Sequence, residues 1–482
     1  MSLPPTSKKR YESPLASRNA SAQMQAIWSS QRKFSTWRRL WLALAEAEQQ
    51  LGLNIDDEQI AELADHLEDI DFDRAAEHEK RTRHDVMAHI HTLGEVAPNA
   101  RPIIHQGATS QFLNCNTDLL LIRQSLRLIA TKLANAIDLL AQFACQYRAL
   151  PTLGLTHYQP AQPTTVGKRA AIWVYDLALT LAEVEHRISS LRFRGVKGAT
   201  GTQASFLALF EGDREKVEQL DRLVAEKMGW PPHKRFAVTG QSYPRVVDGL
   251  VVSTLAAVAA VCQKFATDMR LLAGRKELEE PFDENQVGSS AMPYKRNPMR
   301  CERICGLARF VIGLSQVPLT TAAEQWLERT LDDSSSRRLA LPEPFLALDG
   351  ILDLVINVAG GIVVNERVVS VNLIAELPFL ASENLMMAAV GRGADRQQVH
   401  EILRRHSQAA AERVKSHGGE NDLIDRLKTE KAFEKIDFDV VMDPQQYIGL
   451  APQQVDQLIE EVVGPIRRRY ADHLGVRSQI DV

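Results

Sequence analysis

The 482-residue sequence predicts an all-α protein of three helical domains arranged around a central bundle of long helices. Three observations lead there. Apolar residues at Leu126, Ile129, Leu133, Ile137, Leu140, Ala144 and Tyr147 recur every three or four positions, which draws one apolar stripe along a long helix. The same period returns in Thr164–Leu191, Thr239–Leu278, Pro298–Thr320 and Leu341–Ile362. The two-residue alternation of half-buried strands is scarce. A striped helix needs packing partners, and several in succession make a bundle.

In chain order, Met1–Arg10 is polar and basic without an apolar segment, and reads as a frayed tail rather than a secretory signal. An N-terminal helical domain is placed at 1–109, closed by Pro98–Thr109, where Pro102 and Gly107 break the pattern. The bundle occupies 110–364. Beyond Gly360–Asn365 the helical pieces shorten, interrupted by Gly391, Gly393, Gly418-Gly419 and Pro444, so a C-terminal helical domain is placed at 365–482. The most apolar stretch, Leu250–Cys262, is shorter than the roughly 20 residues a bilayer crossing needs and reads as a buried helix. Stripes this apolar are expected to be buried between subunits; a monomer whose outer domains cover the bundle is the alternative.

A net charge of −4 gives no global attraction to nucleic acid or to an anionic membrane, so neither is expected as a partner and any anion site must be local. The five cysteines, Cys115, Cys145, Cys262, Cys301 and Cys305, include no Cys-x-x-Cys pair. That argues against a disulfide framework or a thiolate zinc site and fits free thiols in the cytosol.

Five segments concentrate groups that can do chemistry. Gly288–Pro298 is a Gly- and Pro-bounded loop in which Ser289, Ser290, Lys295 and Asn297 combine a proton acceptor with an anion clamp; a solvated surface loop is the plainer alternative. Thr152–Gln162 joins two long helices and presents His157, suited to proton exchange near neutral pH or to a structural role. Arg81–His91 holds three histidines, but without His-Glu-x-x-His or a second ligand cluster metal binding is not expected. His105–Ser110 leads into a helix N-terminus, which either binds an anion or is simply capped. Arg329–Arg338 combines arginines with serines, a chemistry suited to a phosphate monoester or to a solvated charge run.

Gly-Ser-Ser-Ala-Met-Pro-Tyr-Lys-Arg-Asn-Pro at 288–298 resembles the signature of the fumarase/aspartase superfamily, whose members release fumarate by β-elimination. Tyr294 and Arg296 within it, and Thr156-His157 with Gln159-Pro160, are similar to the adenylosuccinate lyase branch. The resemblance runs from Ser13 to Gly418–Asp422 and implies a fumarase/aspartase-like fold, a cytoplasmic homotetramer with active sites shared between subunits, and no cofactor. It implies small-molecule substrates: adenylosuccinate, giving AMP, and succinyl-aminoimidazole carboxamide ribotide, both in purine nucleotide biosynthesis. Ser289 would be the base and His157 the acid. Lys295 and Asn297 would hold a carboxylate, with Thr109 and Ser110 on the succinyl group. Arg83, His84 and Asp85 would line the site, Gln241 would contact substrate, and Arg18, Arg303, Arg329, Ser334 and Arg338 would bind the nucleotide. One departure stands out: the family often reads Ser-Arg-Tyr where this chain has Ser17-Arg18-Asn19, so a tyrosine contact near the phosphate is either missing or supplied from elsewhere in the chain. An argininosuccinate lyase, whose substrate has no nucleotide phosphate, and a noncatalytic protein on the same scaffold are the rivals.

Overall fold

The computed structural model describes residues 11–283 and 286–475, so the expected tail Met1–Arg10 lies outside the described residues. Helices dominate, and the strands form two separate antiparallel pairs. Helix α1, Ser30–Gln50, begins where the Ser29 side chain accepts a hydrogen bond from Arg32 N, and it buries Trp37, Leu40, Trp41 and Leu44. Helices α2, Phe72–Thr82, and α3, Asp85–Val96, meet at a break: Arg83 takes a left-handed backbone (φ 55°) and His84 caps α3. His84 therefore stands at the N-cap of α3, while His91 lies inside the helix.

Helix α4, Ser110–Gln146, is 37 residues long and spans about 55 Å at 1.5 Å per residue. All seven residues of its predicted stripe except Tyr147, which caps the helix, lie inside it and are buried. Each fully buried leucine there contributes about 2 kcal/mol of apolar burial. Strands β1, Pro151–Thr156, and β2, Gln159–Thr165, form a hairpin where a plain loop was expected. Helices α5, Val166–Ser190, and α6, Val246–Gly274, follow, then α7, Met299–Leu314. Helices α8, Asp333–Ala340, and α9, Pro342–Ala359, complete the bundle region. Helix α4 packs on α5 and α9, while α6 packs on α5, α7 and α9.

Two predicted spans were too long. The one expected from Thr239 begins only at Val246, because Pro244 and the loop before it bend the chain, and the one expected over Pro298–Thr320 breaks at Ser315. Pro318 lacks the N–H that would continue the ladder to Leu314, so a new helix starts at Gln316. Leu250–Cys262 is only part of α6, whose 29 residues are long and apolar enough to cross a membrane by length and composition. The same holds for α4 and for the Met299–Ala323 pair, so shortness does not exclude a crossing. In this fold α6 packs against α5, α7, α9 and the Gln316–Ala323 helix, but Val246, Leu250 and Leu271 on it remain exposed, as do Tyr175 and Leu179 on α5 and Phe310 on α7.

One continuous apolar core joins α1, α3, the bundle helices and, returning from the far end of the chain, Val455, Leu458, Val463 and Ile466. A second, smaller core gathers Ala381, Leu385, Val399, Leu403, Leu423 and Phe433.

Candidate active site

A cavity of 850 Å³ opens where the α2–α3 junction, the start of α4, the loop at Gln241 and the Arg329–Arg338 segment converge. Arg83, His84, Asp85, Thr109, Ser110, Gln241, Arg329, Ser334 and Arg338 all line it, beside Glu79, Gln111 and Asn114. Residues from four distant stretches of sequence thus face one space.

Local backbone puts them there. The left-handed turn at Arg83 frees His84 to cap α3, with Met87 N–H donating to Nδ1 at 3.3 Å. Asp85 approaches the same nitrogen to 3.8 Å, and Nε2 lies 3.4 Å from Ser110 Oγ. At the start of α4, Thr109 makes no side-chain capping bond, so its hydroxyl is not consumed by the helix end. Gln241 is fixed through its backbone N–H to Glu328 O at 3.0 Å, and Gly240 is required beside it, since a Cβ there would lie 2.6 Å from that same oxygen.

Beneath the cavity lies a buried ionic floor. Asp333 accepts from Arg245 Nε and Arg329 Nη1, each at 2.6 Å. Burial alone would raise the Asp333 pKa, but the two guanidiniums hold it below the ordinary carboxylate value. Arg337 donates to Asp248 at 2.7 Å, to Asp118 at 2.8 Å and to the Tyr243 hydroxyl at 2.7 Å, and that hydroxyl donates on to Asp248 at 2.5 Å. Burial disfavours the Arg337 charge, yet Asp248 and Asp118 more than offset it and raise its pKa. Arg329 is thereby held from below, whereas Arg338 is 63% exposed and reaches Asp85 at only 3.4 Å, free to swing onto a ligand.

The remaining predicted residues stand elsewhere. His157 and Tyr158 form the two-residue turn of the β1–β2 hairpin, with φ of 53° and 58°. Two positive φ values suit a type I′ turn, and non-glycine residues there are strained, a mark of functional positions. The tip is exposed, and among the described residues it lines no part of the 850 Å³ cavity. The Gly288–Pro298 loop is pinched at its neck: Asn297 Nδ2 donates to Gly288 O at 2.8 Å, and a Cβ on Gly288 would lie 2.1 Å from Lys295 O. At its tip, Ala291 N–H and Met292 N–H both donate to Ser289 Oγ, at 3.3 and 3.2 Å. Such donors favour the oxyanion form of the hydroxyl. Lys295 is exposed on the same loop. Arg303 on α7 donates to Arg18 O and, at 2.9 Å, to Asn19 Oδ1, so the residue standing in place of tyrosine orients an arginine.

Sequence reasoning missed the floor itself, namely Arg245, Asp333, Tyr243, Asp248 and Arg337. Asp333 and Arg337 lay inside the arginine-serine segment and were passed over as charge; Tyr243–Asp248 carried no pattern beyond a helix start.

The residues 13–313 match the family model described as lyase, and 378–458 match the one described as adenylosuccinate lyase C-terminus. Adenylosuccinate lyase of Saccharomyces cerevisiae is 49% identical over 470 residues, covering 96% of this chain and 97% of that one. The chain belongs to the adenylosuccinate lyase family. The Schizosaccharomyces pombe family member is 50% identical over 94% of this chain and 95% of its own, and that of Schistosoma mansoni 45% over 98% and 99%. Among solved structures, 3-carboxy-cis,cis-muconate lactonizing enzyme from Pseudomonas putida superposes with a TM-score of 0.81 at 24% identity, covering 95% and 99%. Fumarate lyase from Mesorhizobium sp. BNC1 gives 0.77 at 24%, covering 92% and 99%. At that identity the likeness concerns the fold, which is the all-α fold the sequence predicted.

Proposed function

We propose that this chain, as a fumarate-releasing carbon–nitrogen lyase of the adenylosuccinate lyase family, converts adenylosuccinate to AMP and succinyl-aminoimidazole carboxamide ribotide to the carboxamide ribotide. The observation that carries this reading is the convergence of Arg329, Ser334 and Arg338 with His84, Thr109, Ser110 and Gln241 on one cavity, because cations and a hydroxyl beside side chains that can donate to carboxylates suit a substrate with a phosphate at one end and a succinyl group at the other.

In this reading Ser289 removes a proton from the succinyl carbon beside a carboxylate. A serine hydroxyl becomes an effective base once its own proton has passed to solvent, and the two N–H groups on Oγ stabilise the alkoxide that remains. Lys295 and Asn297 hold the carboxylate that takes up the electron pair, a donor of this kind contributing roughly 3 kcal/mol. The carbon–nitrogen bond then breaks, His157 delivers its proton to the leaving nitrogen, and fumarate departs. Arg18 and Arg303 complete phosphate binding.

The reacting arms and the cavity belong together in a homotetramer. Exposed Leu250, Leu271, Leu179 and Phe310 offer the apolar faces for it, and the His157 tip and the Ser289 loop would enter cavities of neighbouring subunits. A cytoplasmic location and the division of the chain near 109 and 364 belong to the same reading. The deciding experiment follows fumarate release by ultraviolet absorbance with adenylosuccinate, and with argininosuccinate and malate as controls. Turnover of adenylosuccinate alone is expected; turnover of argininosuccinate instead, or of nothing by a folded oligomer, would overturn it.

A further inference from the structure

Next to the main cavity is an inner chamber of 190 Å³ that shares Arg329, Ser334 and Arg338 with it. Its wall adds Trp28, Leu341 and one residue with no assigned task, Lys33 on the first turn of α1. Ser29 caps this helix and the rings of Phe34 and Trp37 lie 5.3 and 5.1 Å from the Lys33 ammonium, so aromatic faces steady the cation without neutralising it. Among the described residues no carboxylate stands within ion-pair distance of Lys33, whereas the neighbouring cations are tied down: Arg337 by Asp248 and Asp118, Arg329 by Asp333. Burial lowers the Lys33 pKa; Asp118, Asp85 and Glu79 act on it through space in the opposite sense, and Arg338 in the same sense as burial.

A half-buried ammonium with no counter-ion, beside two arginines and a serine hydroxyl, is a charge awaiting an anion. Asp333 already shares the charge of Arg329, and neither Arg18 nor Arg303 lines the chamber or the main cavity, so on this side Arg329, Ser334 and Arg338 leave a dianionic group short of positive charge. We propose that Lys33 is a further substrate-binding residue, placing its ammonium on the phosphate monoester of the nucleotide from the inner-chamber side. This rests on the nucleotide reading above and extends it to a residue outside every motif in the sequence.

The test compares Lys33→Met with Lys33→Arg and wild type, using AMP and adenosine as competitive inhibitors, which differ only in the phosphate. Loss of one charge-assisted contact is expected to raise the inhibition constant of AMP and the KM of adenylosuccinate by about 10- to 100-fold. Inhibition by adenosine and kcat should stay nearly unchanged, and Lys33→Arg should recover most of the loss. Equal weakening of AMP and adenosine, or no change in either, would overturn the assignment, since a merely structural lysine moves both together. Should Lys33→Met fail to fold, Lys33→Gln serves. Calorimetric titration of AMP into wild type and variant keeps this test separate from turnover: binding that depends on Lys33 in a protein without lyase activity would sink the proposed reaction and not this contact.

Discussion

The cavity floor and the two exposed arms are built on opposite principles. In the floor, Asp333, Arg245, Arg337 and Asp248 are buried, each held by bonds of 2.6–2.8 Å to groups of opposite charge. At the arms, His157 sits on a strained turn in solvent, and among the described residues Ser289 is held by backbone donors of its own loop. The proposed binding groups rest on desolvated charges that are fixed before substrate arrives. The groups proposed to react are carried on segments that reach away from the body that supports them. Mutations should therefore divide cleanly, with the arms governing rate and the floor governing stability.

The largest effect is expected at the arms. Ser289→Ala and His157→Ala should each lower kcat by about 10²- to 10⁴-fold, the usual range for a positioned acid or base, with unchanged circular dichroism and melting temperature. Near wild-type turnover in either variant would remove that residue from the mechanism. A sharper form mixes the two inactive variants after dissociation and reassociation. If arms of different subunits complete one site, mixed oligomers regain activity; if each chain completes its own, the mixture stays inactive.

The floor should respond in the other currency. Asp333→Ala leaves Arg245 and Arg329 facing each other without their shared carboxylate, and unfolding in urea should show a loss of roughly 3–5 kcal/mol. A variant as stable as wild type would mean the floor is not a stability element.

The smallest effect separates core from site. Glu48 on α1 is fully buried, both carboxylate oxygens lack a hydrogen-bond partner, and burial pushes its pKa up to about 8. Between 4.5 and about 8 the folded protein holds a proton that the unfolded chain has released, so Glu48 makes stability fall as pH rises through that window and level off above it. Glu48→Gln should flatten this slope and stabilise the protein at pH 8 without touching KM. An unchanged slope would show that Glu48 is charged in the fold.

The apolar period of α4 was legible because a helix buried along one face must repeat its apolar residues every three or four positions. The break between α2 and α3 was not, since a left-handed Arg83 is chosen by the packing of its neighbours and leaves no mark in composition. The hairpin under His157 was missed for a related reason: β1 and β2 carry prolines and no apolar alternation, and they are strands because they pair with each other.

By itself the sequence determined the helical class and the family, and it singled out the candidate site residues, because periodicity and short motifs are local properties of the chain. Only the tertiary structure decided that nine of those residues from four distant stretches share one cavity, that a buried carboxylate holds their arginines in place, and that His157 and Ser289 stand apart from it. Those are facts of distance and burial between remote segments, and they exist only once the bundle has packed.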